Sequence, residues 1–343
     1  MIGDVLTSSI LFEAIKEKYP ESELHYVINH NTISVVEHNP FIDRIISITP
    51  EIGNRKYYFF KFLKTLRKEH YDVVIDVYSK YSSNLMTLFS GAKKRISKHK
   101  WYSSFIYNHT FYESSEKKSI AGLAIENRLS LLAPLNIDSD TNYVPKIYLT
   151  NEEIESARKY LESNGLDLQK KLFMIGVVGS NMDKTYPMKE MAKVIDSIVS
   201  HTNGSILFNY SPNQIDSARK IFNLCSDDTR NNIFFDIYGN SLRSFLAITH
   251  HSSALIGNEG GATNMAKALG VPTFSIFSPW IDKNAWNMFD DEIKNVSVHL
   301  MDYLPELYKD REFKNKKKEA SEFYSQFKFQ HFKDKLIDFL NRL

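Results

Sequence analysis

The chain has 343 residues, 43% of them hydrophobic and 24% charged, which excludes disordered, collagen-like and low-complexity classes. Lys plus Arg number 43 against 41 Asp plus Glu, and a net charge of +2 argues against wholesale nucleic-acid binding while leaving room for a local basic face. The single cysteine, Cys225, excludes an intrachain disulfide and a cysteine-based zinc or iron–sulfur site, and fits a reducing, cytoplasmic compartment.

In chain order, apolar spacing predicts a helix over 6–19, strands over 24–28 and 44–48, a helix over 56–68 and a strand over 71–77. A helix over 82–89 ends at Gly91, a short strand covers 95–97, and a helix covers 120–132. Polar, turn-forming residues over 136–142, followed by Pro145, mark a linker. The alternation then restarts. Helices over 151–161, 188–199, 214–224, 241–249 and 262–269 separate strands over 172–178, 205–208, 232–235, 253–257 and 273–277, with Asn151 as the cap of the first helix. Strands separated by helices mean βαβ units and mostly parallel sheets, so the fold class is α/β with two doubly wound domains. The expected divisions are an N-terminal domain over 1–140, a C-terminal domain over 150–325 and an amphipathic helical segment over 326–343. Charge rises after Leu304, with Lys314 and Lys316 to Lys318. The last helix, 332–343, is expected to pack its apolar face on a domain rather than serve as a membrane-surface or calmodulin-binding helix. No apolar run reaches the roughly 18 residues of a spanning helix, and the N-terminus lacks the pattern of a secretory signal.

Three segments carry candidate chemistry. In the first, a strand, a glycine-rich turn and a helix span 253–272, with Glu259 at the strand's carboxyl end and Gly260 and Gly261 at the turn. The amides of Gly261, Ala262 and Thr263, with the helix dipole, form an anion site suited to a diphosphate, and Thr263 adds a hydroxyl donor. A tight turn without a ligand gives the same pattern. The second segment is the loop 179–187, where Ser180 and Lys184 are placed to meet phosphate oxygens; a solvated polar loop is the alternative. The third is Gly3-Asp4 ahead of the first helix, where Asp4 is either a helix cap or a carboxylate available as a general base. Basic residues also gather in the first half. Lys61, Lys64 and Lys68 share a helix face, and the run from Lys93 to Lys100 includes Lys94 and Arg95. These are either solvated faces or contacts for an anionic acceptor. His250-His251 has no partner at metal-ligand spacing and reads as structural, and no carboxylate pair has metal-binding spacing, so no obligatory metal or cofactor is expected.

Gly3-Asp-Val-Leu-Thr-Ser-Ser9, Glu17-Lys-Tyr-Pro20 and the stretch from Val36 to Ile46 resemble the N-terminal half of the lipopolysaccharide heptosyltransferases, glycosyltransferase family 9. So do Tyr71-Asp-Val-Val-Ile-Asp76 and Ser90-Gly-Ala-Lys-Lys-Arg-Ile96. Lys184-Thr-Tyr-Pro187 resembles the family's donor loop, and the block from Gly257 to Thr273, with Phe277-Ser-Pro279, resembles its signature. The resemblance implies a GT-B architecture of two Rossmann-like domains, the first binding an acceptor and the second a sugar nucleotide. It implies transfer of heptose with inversion from ADP-heptose to a lipopolysaccharide-core or other anionic glycan, at the cytoplasmic face of the inner membrane and with peripheral membrane contact. By the same resemblance Asp4 is the base and Lys184 neutralises the diphosphate. The chain departs from the family in two places. Only Met1 and Ile2 precede Gly3, so the strand that usually comes before the Gly-Asp turn is expected to be missing. Glu259-Gly-Gly-Ala262 and Asn264 also stand where many members carry Asp-Thr-Gly-Pro and a histidine. The rival expectation is a protein that binds a nucleotide sugar without transferring it. A nicotinamide-dependent oxidoreductase would need Gly-x-Gly-x-x-Gly after a strand, which the sequence lacks.

Overall fold

The computed structural model describes residues 2–138, 143–309 and 319–343, so the lysines at 314 and 316–318 and linker positions 139–142 lie outside the described residues. The chain divides into two compact units, Met1–Lys146 and Ile147–Leu343.

The first unit opens on helices Ile2–Ser8 and Ile10–Lys18 instead of one helix starting at Leu6. Three consecutive hydroxyls explain the break at Ser9. Thr7 Oγ1 donates to the carbonyl of Gly3 (2.8 Å), Ser8 Oγ to that of Asp4 (2.7 Å) and Ser9 Oγ to that of Leu6 (2.7 Å). Such back-bonding competes with the helix ladder and bends it. Leu6, Ile10, Leu11 and Ala14 are buried, as their helical spacing requires.

All strand pairs of this unit are parallel, but they form two separate sheets. One pairs β1 (His25–Asn29) with β2 (Arg44–Ile48); the other runs β3 (Val73–Asp76), β4 (Lys94–Lys98), β5 (His109–Phe111). The three-residue β5 has too little pattern to be read from sequence. Helix Lys56–Lys68 covers the span expected, and helix Tyr81–Ser90 stops at Gly91 in the left-handed region, φ 74°.

The second unit carries one five-stranded parallel sheet, ordered β10–β9–β8–β6–β7. Its strands are β6 (Leu172–Gly176), β7 (Ser205–Asn209), β8 (Ala254–Asn258), β9 (Thr273–Ile276) and β10 (Asn295–Val298). Every residue of β6, β8 and β9 is buried, as expected for strands covered by helices on both faces. The strand expected at 232–235 shrinks to the single bridge Ile206–Ile233, because the chain turns back at once, Ile237 N donating to Phe234 O. In its place β10, which its four-residue pattern does not announce, closes the edge beside β9. Thr150, not Asn151, caps helix Asn151–Ser163, in a capping box with Glu153.

Helices Ala320–Gln326 and Lys333–Asn341 pack on this unit. Phe323, Phe327, Phe332, Leu336 and Phe339 join one core with Phe274, Tyr186 and Ile195. The apolar face of the last helix is therefore buried in the second unit. Among the described residues no helix is long and apolar enough to cross a membrane.

Candidate functional site

In a parallel sheet every strand ends on the same edge, so the loops after β6, β7, β8 and β9 converge, and this is where open α/β sheets bind ligands. In the second unit that edge is built by backbone approach. Gly257, at φ 134°, lies against β6, and a side-chain carbon there would come within 2.5 Å of Gly176 O. At Gly179 the same carbon would lie 2.1 Å from Lys184 O, so the loop can fold back on itself only with glycine at that position.

Three side chains lock the loop further. Asn258 Oδ1 accepts from Tyr186 N (2.6 Å), and its Nδ2 donates to Gly176 O (2.8 Å). The carbonyl of Asp183 accepts from Ser278 Oγ (2.7 Å) and Trp280 Nε1 (2.8 Å). Lys184, next along the chain, is thereby held with its Nζ 3.5 Å from Glu259 Oε1 and 5.6 Å from the centre of the Trp280 ring. Ser180 stands exposed on the same loop.

Helix Gly261–Ala268 starts immediately after Glu259 and Gly260, and a side-chain carbon added at Gly260 or Gly261 would meet no atom within 4 Å. The amides of Gly261, Ala262 and Thr263 are the first of the helix and have no acceptor within it. The Cβ positions of Gly260 and Gly261 beside them open onto empty space, and Lys184 pairs with the adjoining Glu259. Burial raises the pKa of Glu259 and Lys184 opposes the rise, so this carboxyl is more easily protonated than an exposed one. Glu259, Thr263, Asn264, Lys267, Ser275 and Asn287 line a polar hollow beside the helix start. Glu259 Oε1 and Ser275 Oγ are buried there without a hydrogen-bond partner; Lys184 reaches the carboxylate only at ion-pair range. Groups of this kind are costly to leave unsatisfied and suit a polar ligand. The structure thus brings Lys184, Glu259, Gly260, Gly261, Ala262 and Thr263 together.

Sequence reasoning passed over the parts that position these groups: Asn258, Ser278, Trp280 and Ser275. It also passed over an aromatic shelf after β7, where Tyr210 and Tyr238 lie 6.3 Å apart with Tyr238 half-exposed. Gln214 Nε2 donates to Gly179 O (2.7 Å) and ties that shelf to the loop after β6. An asparagine at a strand's last residue, beside a Gly-Gly turn, was the one available signal.

In the first unit Asp4 lies inside the first turn of helix Ile2–Ser8 and is not its cap. Its Oδ1 is 3.2 Å from Arg128 Nη2. Arg128 also donates from Nε to Ser8 Oγ (3.0 Å) and from Nη1 to Ala124 O (2.6 Å), so one guanidinium orients the carboxylate and both flanking helices. Burial pulls the Arg128 pKa down and Asp4 opposes that pull.

The four basic residues considered for an acceptor fall into two groups. Lys61 and Lys64 stand exposed on helix Lys56–Lys68. Lys94 Nζ donates to Pro134 O (2.8 Å), and Arg95 donates to Ile106 O (2.6 Å) and Ala92 O (3.2 Å), at the amino end of β4. Both residues of the second group are turned toward the chain's own carbonyls. Among the described residues, no group of three or more His, Cys, Asp or Glu is placed to hold a metal ion.

The family model for glycosyltransferase family 9 (heptosyltransferase) matches residues 59–317. Lipopolysaccharide heptosyltransferase 3 of Escherichia coli K12 is 22% identical over 306 residues, covering 85% of this chain and 83% of the relative. Lipopolysaccharide heptosyltransferase 1 of Campylobacter coli is 23% identical over 287 residues, covering 80% and 81%. Among solved structures, a family 9 glycosyl transferase from Veillonella parvula matches with a TM-score of 0.78 at 17% identity, over 98% of this chain and 95% of that one. E. coli heptosyltransferase WaaC with ADP matches with a TM-score of 0.66 at 12% identity, over 94% and 97%. These likenesses place the fold in the GT-B class. With its family model covering well over half its length, the chain belongs to glycosyltransferase family 9 and is a glycosyltransferase.

Proposed function

We propose that the protein is an inverting heptosyltransferase, taking the sugar from an ADP-heptose-like donor and placing it on a lipopolysaccharide-core or similar anionic glycan at the cytoplasmic face of the inner membrane. The observation that carries this reading is the helix start at Gly261, open above its first amides and flanked by Lys184. The second unit is the donor domain in this reading. The diphosphate sits on the amides of Gly261, Ala262 and Thr263, Lys184 exchanges Glu259 for a phosphate oxygen, and Ser180 adds a hydroxyl from the same loop. Glu259, freed from Lys184, and Ser275 then face hydroxyl groups of the sugar, which satisfies the two buried oxygens left without partners. Tyr238 and Tyr210 offer a surface for the nucleobase. The relatives' printed names support the sugar: two are lipopolysaccharide heptosyltransferases, and one solved structure is described with ADP.

The first unit takes the acceptor. Asp4, oriented by Arg128, removes the proton of the acceptor hydroxyl as its oxygen bonds to the anomeric carbon. The bond from that carbon to the diphosphate oxygen breaks on the opposite face, which inverts the configuration. The leaving diphosphate gains negative charge, and the helix amides and Lys184 are already in place to stabilise it. Lys61 and Lys64, with Lys94 and Arg95 where their own carbonyl partners yield, are the cations available to an anionic acceptor.

The test pairs turnover with calorimetry. Asp4→Asn is expected to lower turnover by about a thousandfold while donor affinity stays near that of the unsubstituted chain. Lys184→Ala is expected to weaken donor binding and to lower turnover by about a hundredfold. Near-normal turnover by a folded Asp4→Asn protein would remove Asp4 as the base. Tight binding of an ADP-sugar with no transfer to any acceptor would favour the non-catalytic alternative.

A further inference from the structure

The loops leaving the carboxyl ends of β3, β4 and β5 carry side chains that an ordinary soluble surface keeps covered. Trp101 is 85% exposed, and Phe105, Tyr81 and Tyr112 are each 80% exposed. They form one patch. Ser79 Oγ lies 3.3 Å from Ser103 Oγ, and Lys100 Nζ donates to Ser79 O (2.6 Å), tying the loop after β3 to the loop after β4. The rings of Trp101 and Tyr102 are 5.7 Å apart, and those of His99 and Tyr112 are 4.4 Å apart, which brings in the loop after β5.

Cations are set among the rings. Lys80 Nζ lies 4.2 Å from the centre of the Tyr78 ring and Lys100 Nζ 5.8 Å from that of Tyr102. Lys80, Lys98 and Lys100 stand at this edge, whereas Lys94 and Arg95 lie at the opposite, amino end of β4. Two carboxylates border the patch: Asp76, buried and accepting from Tyr78 N (2.9 Å) and Ser79 N (2.8 Å), and Glu113, which pairs with Lys98 (3.2 Å).

We propose that this patch is the surface by which the protein docks on an anionic phospholipid bilayer. Trp, Tyr and Phe on protruding loops insert at the depth of the headgroups, where one end of each ring stays wet. Lysines beside them meet the negative surface of the leaflet. Trp101, Phe105, Tyr81 and Tyr112 stay at least 80% exposed with lysines interspersed, which suits a soft planar partner better than a rigid protein interface with its shape-matched apolar centre. This deepens the reading above, resting on it only for which membrane face is met.

The test is sedimentation of the full chain with vesicles of phosphatidylcholine, alone or mixed with phosphatidylglycerol, with no donor or acceptor present; its failure is therefore separate from any failure of the transfer reading. Binding is expected to the mixed vesicles and to weaken as salt rises. The Trp101→Ala/Phe105→Ala double variant is expected to lose at least about tenfold in partitioning. Lys80→Glu, at an exposed position, is expected to lose at least about fivefold and gives a second reading should the double variant fail to fold. No binding of the unsubstituted chain to the mixed vesicles overturns the proposal, as does unchanged binding by folded variants. A folded double variant that loses transfer to a lipid-free acceptor while still binding vesicles overturns it in favour of an acceptor site. A patch that holds two copies of the chain together, with no vesicle binding, overturns it in favour of self-association.

Discussion

The two units share an alternation of strand and helix but carry it to different ends. In the second unit five parallel strands form one sheet, and three of them are buried at every residue. In the first, five parallel strands divide into a pair and a triplet, and β1, β2 and β3 are mostly half-buried. The second unit also draws its C-terminal helices onto the sheet, filling a face with Phe274, Phe332 and Phe339. Parallel strands are stable when helices cover both faces, so the second unit has the better-packed sheet edge. The first unit turns Trp101, Phe105 and Tyr112 outward on loops and pairs Asp4 with Arg128, both half-buried.

This contrast can be broken or sharpened by measurement. The largest effect is expected at Phe332, which is fully buried in the second unit. Phe332→Ala should cost about 3–5 kcal/mol, read by urea unfolding and by faster amide exchange along β6 and β8. Val27→Ala, in half-buried β1, should cost only about 1 kcal/mol. Equal costs would erase the difference in packing.

The next effect is acid sensitivity. Burial pushes the imidazole of His299 down to about 4, against Asp302, which acts to raise it. Above the unfolded value of 6.5 the ring is neutral in both states and costs nothing. As the pH falls from 6.5 toward 4 the unfolded chain takes up a proton that the folded one refuses, so stability drops, by up to about 3 kcal/mol. Denaturant midpoints for the unsubstituted chain and for His299→Gln should diverge at neutral pH and converge in acid. A pH slope that survives the substitution would assign the sensitivity to other groups.

The smallest effect is at the entrance to the second unit. Thr150→Ala removes the hydroxyl that caps helix Asn151–Ser163 and should cost about 1 kcal/mol. A markedly larger loss would mean that the Glu153–Arg243 ion pair, which shares this cap, fails with it.

What was legible in the residues follows from distance along the chain. Helix Lys56–Lys68 and strand β2 appear where their patterns put them, because period and turn chemistry act over a few residues. Gly91 and the Gly260-Gly261 turn could be read for the same reason. The break at Ser9 is not legible because three hydroxyls in a row act together, and the strand expected at 232–235 does not form because pairing depends on where the chain turns next. Short β5 and β10 carry too few residues for a pattern to stand out.

By itself the sequence determined the α/β class, the helix start after Gly260 and the family whose motifs it repeats. Tertiary structure alone decided the partners. Arg128 meets Asp4 across 124 positions of chain, Asn258 holds the amide of Tyr186 across 72, and the segments after β3, β4 and β5 bring Tyr81, Trp101 and Tyr112 onto one surface. Local patterns set which groups a segment offers. Only the packing of sheets and helices, driven by burial of apolar surface, sets which groups meet.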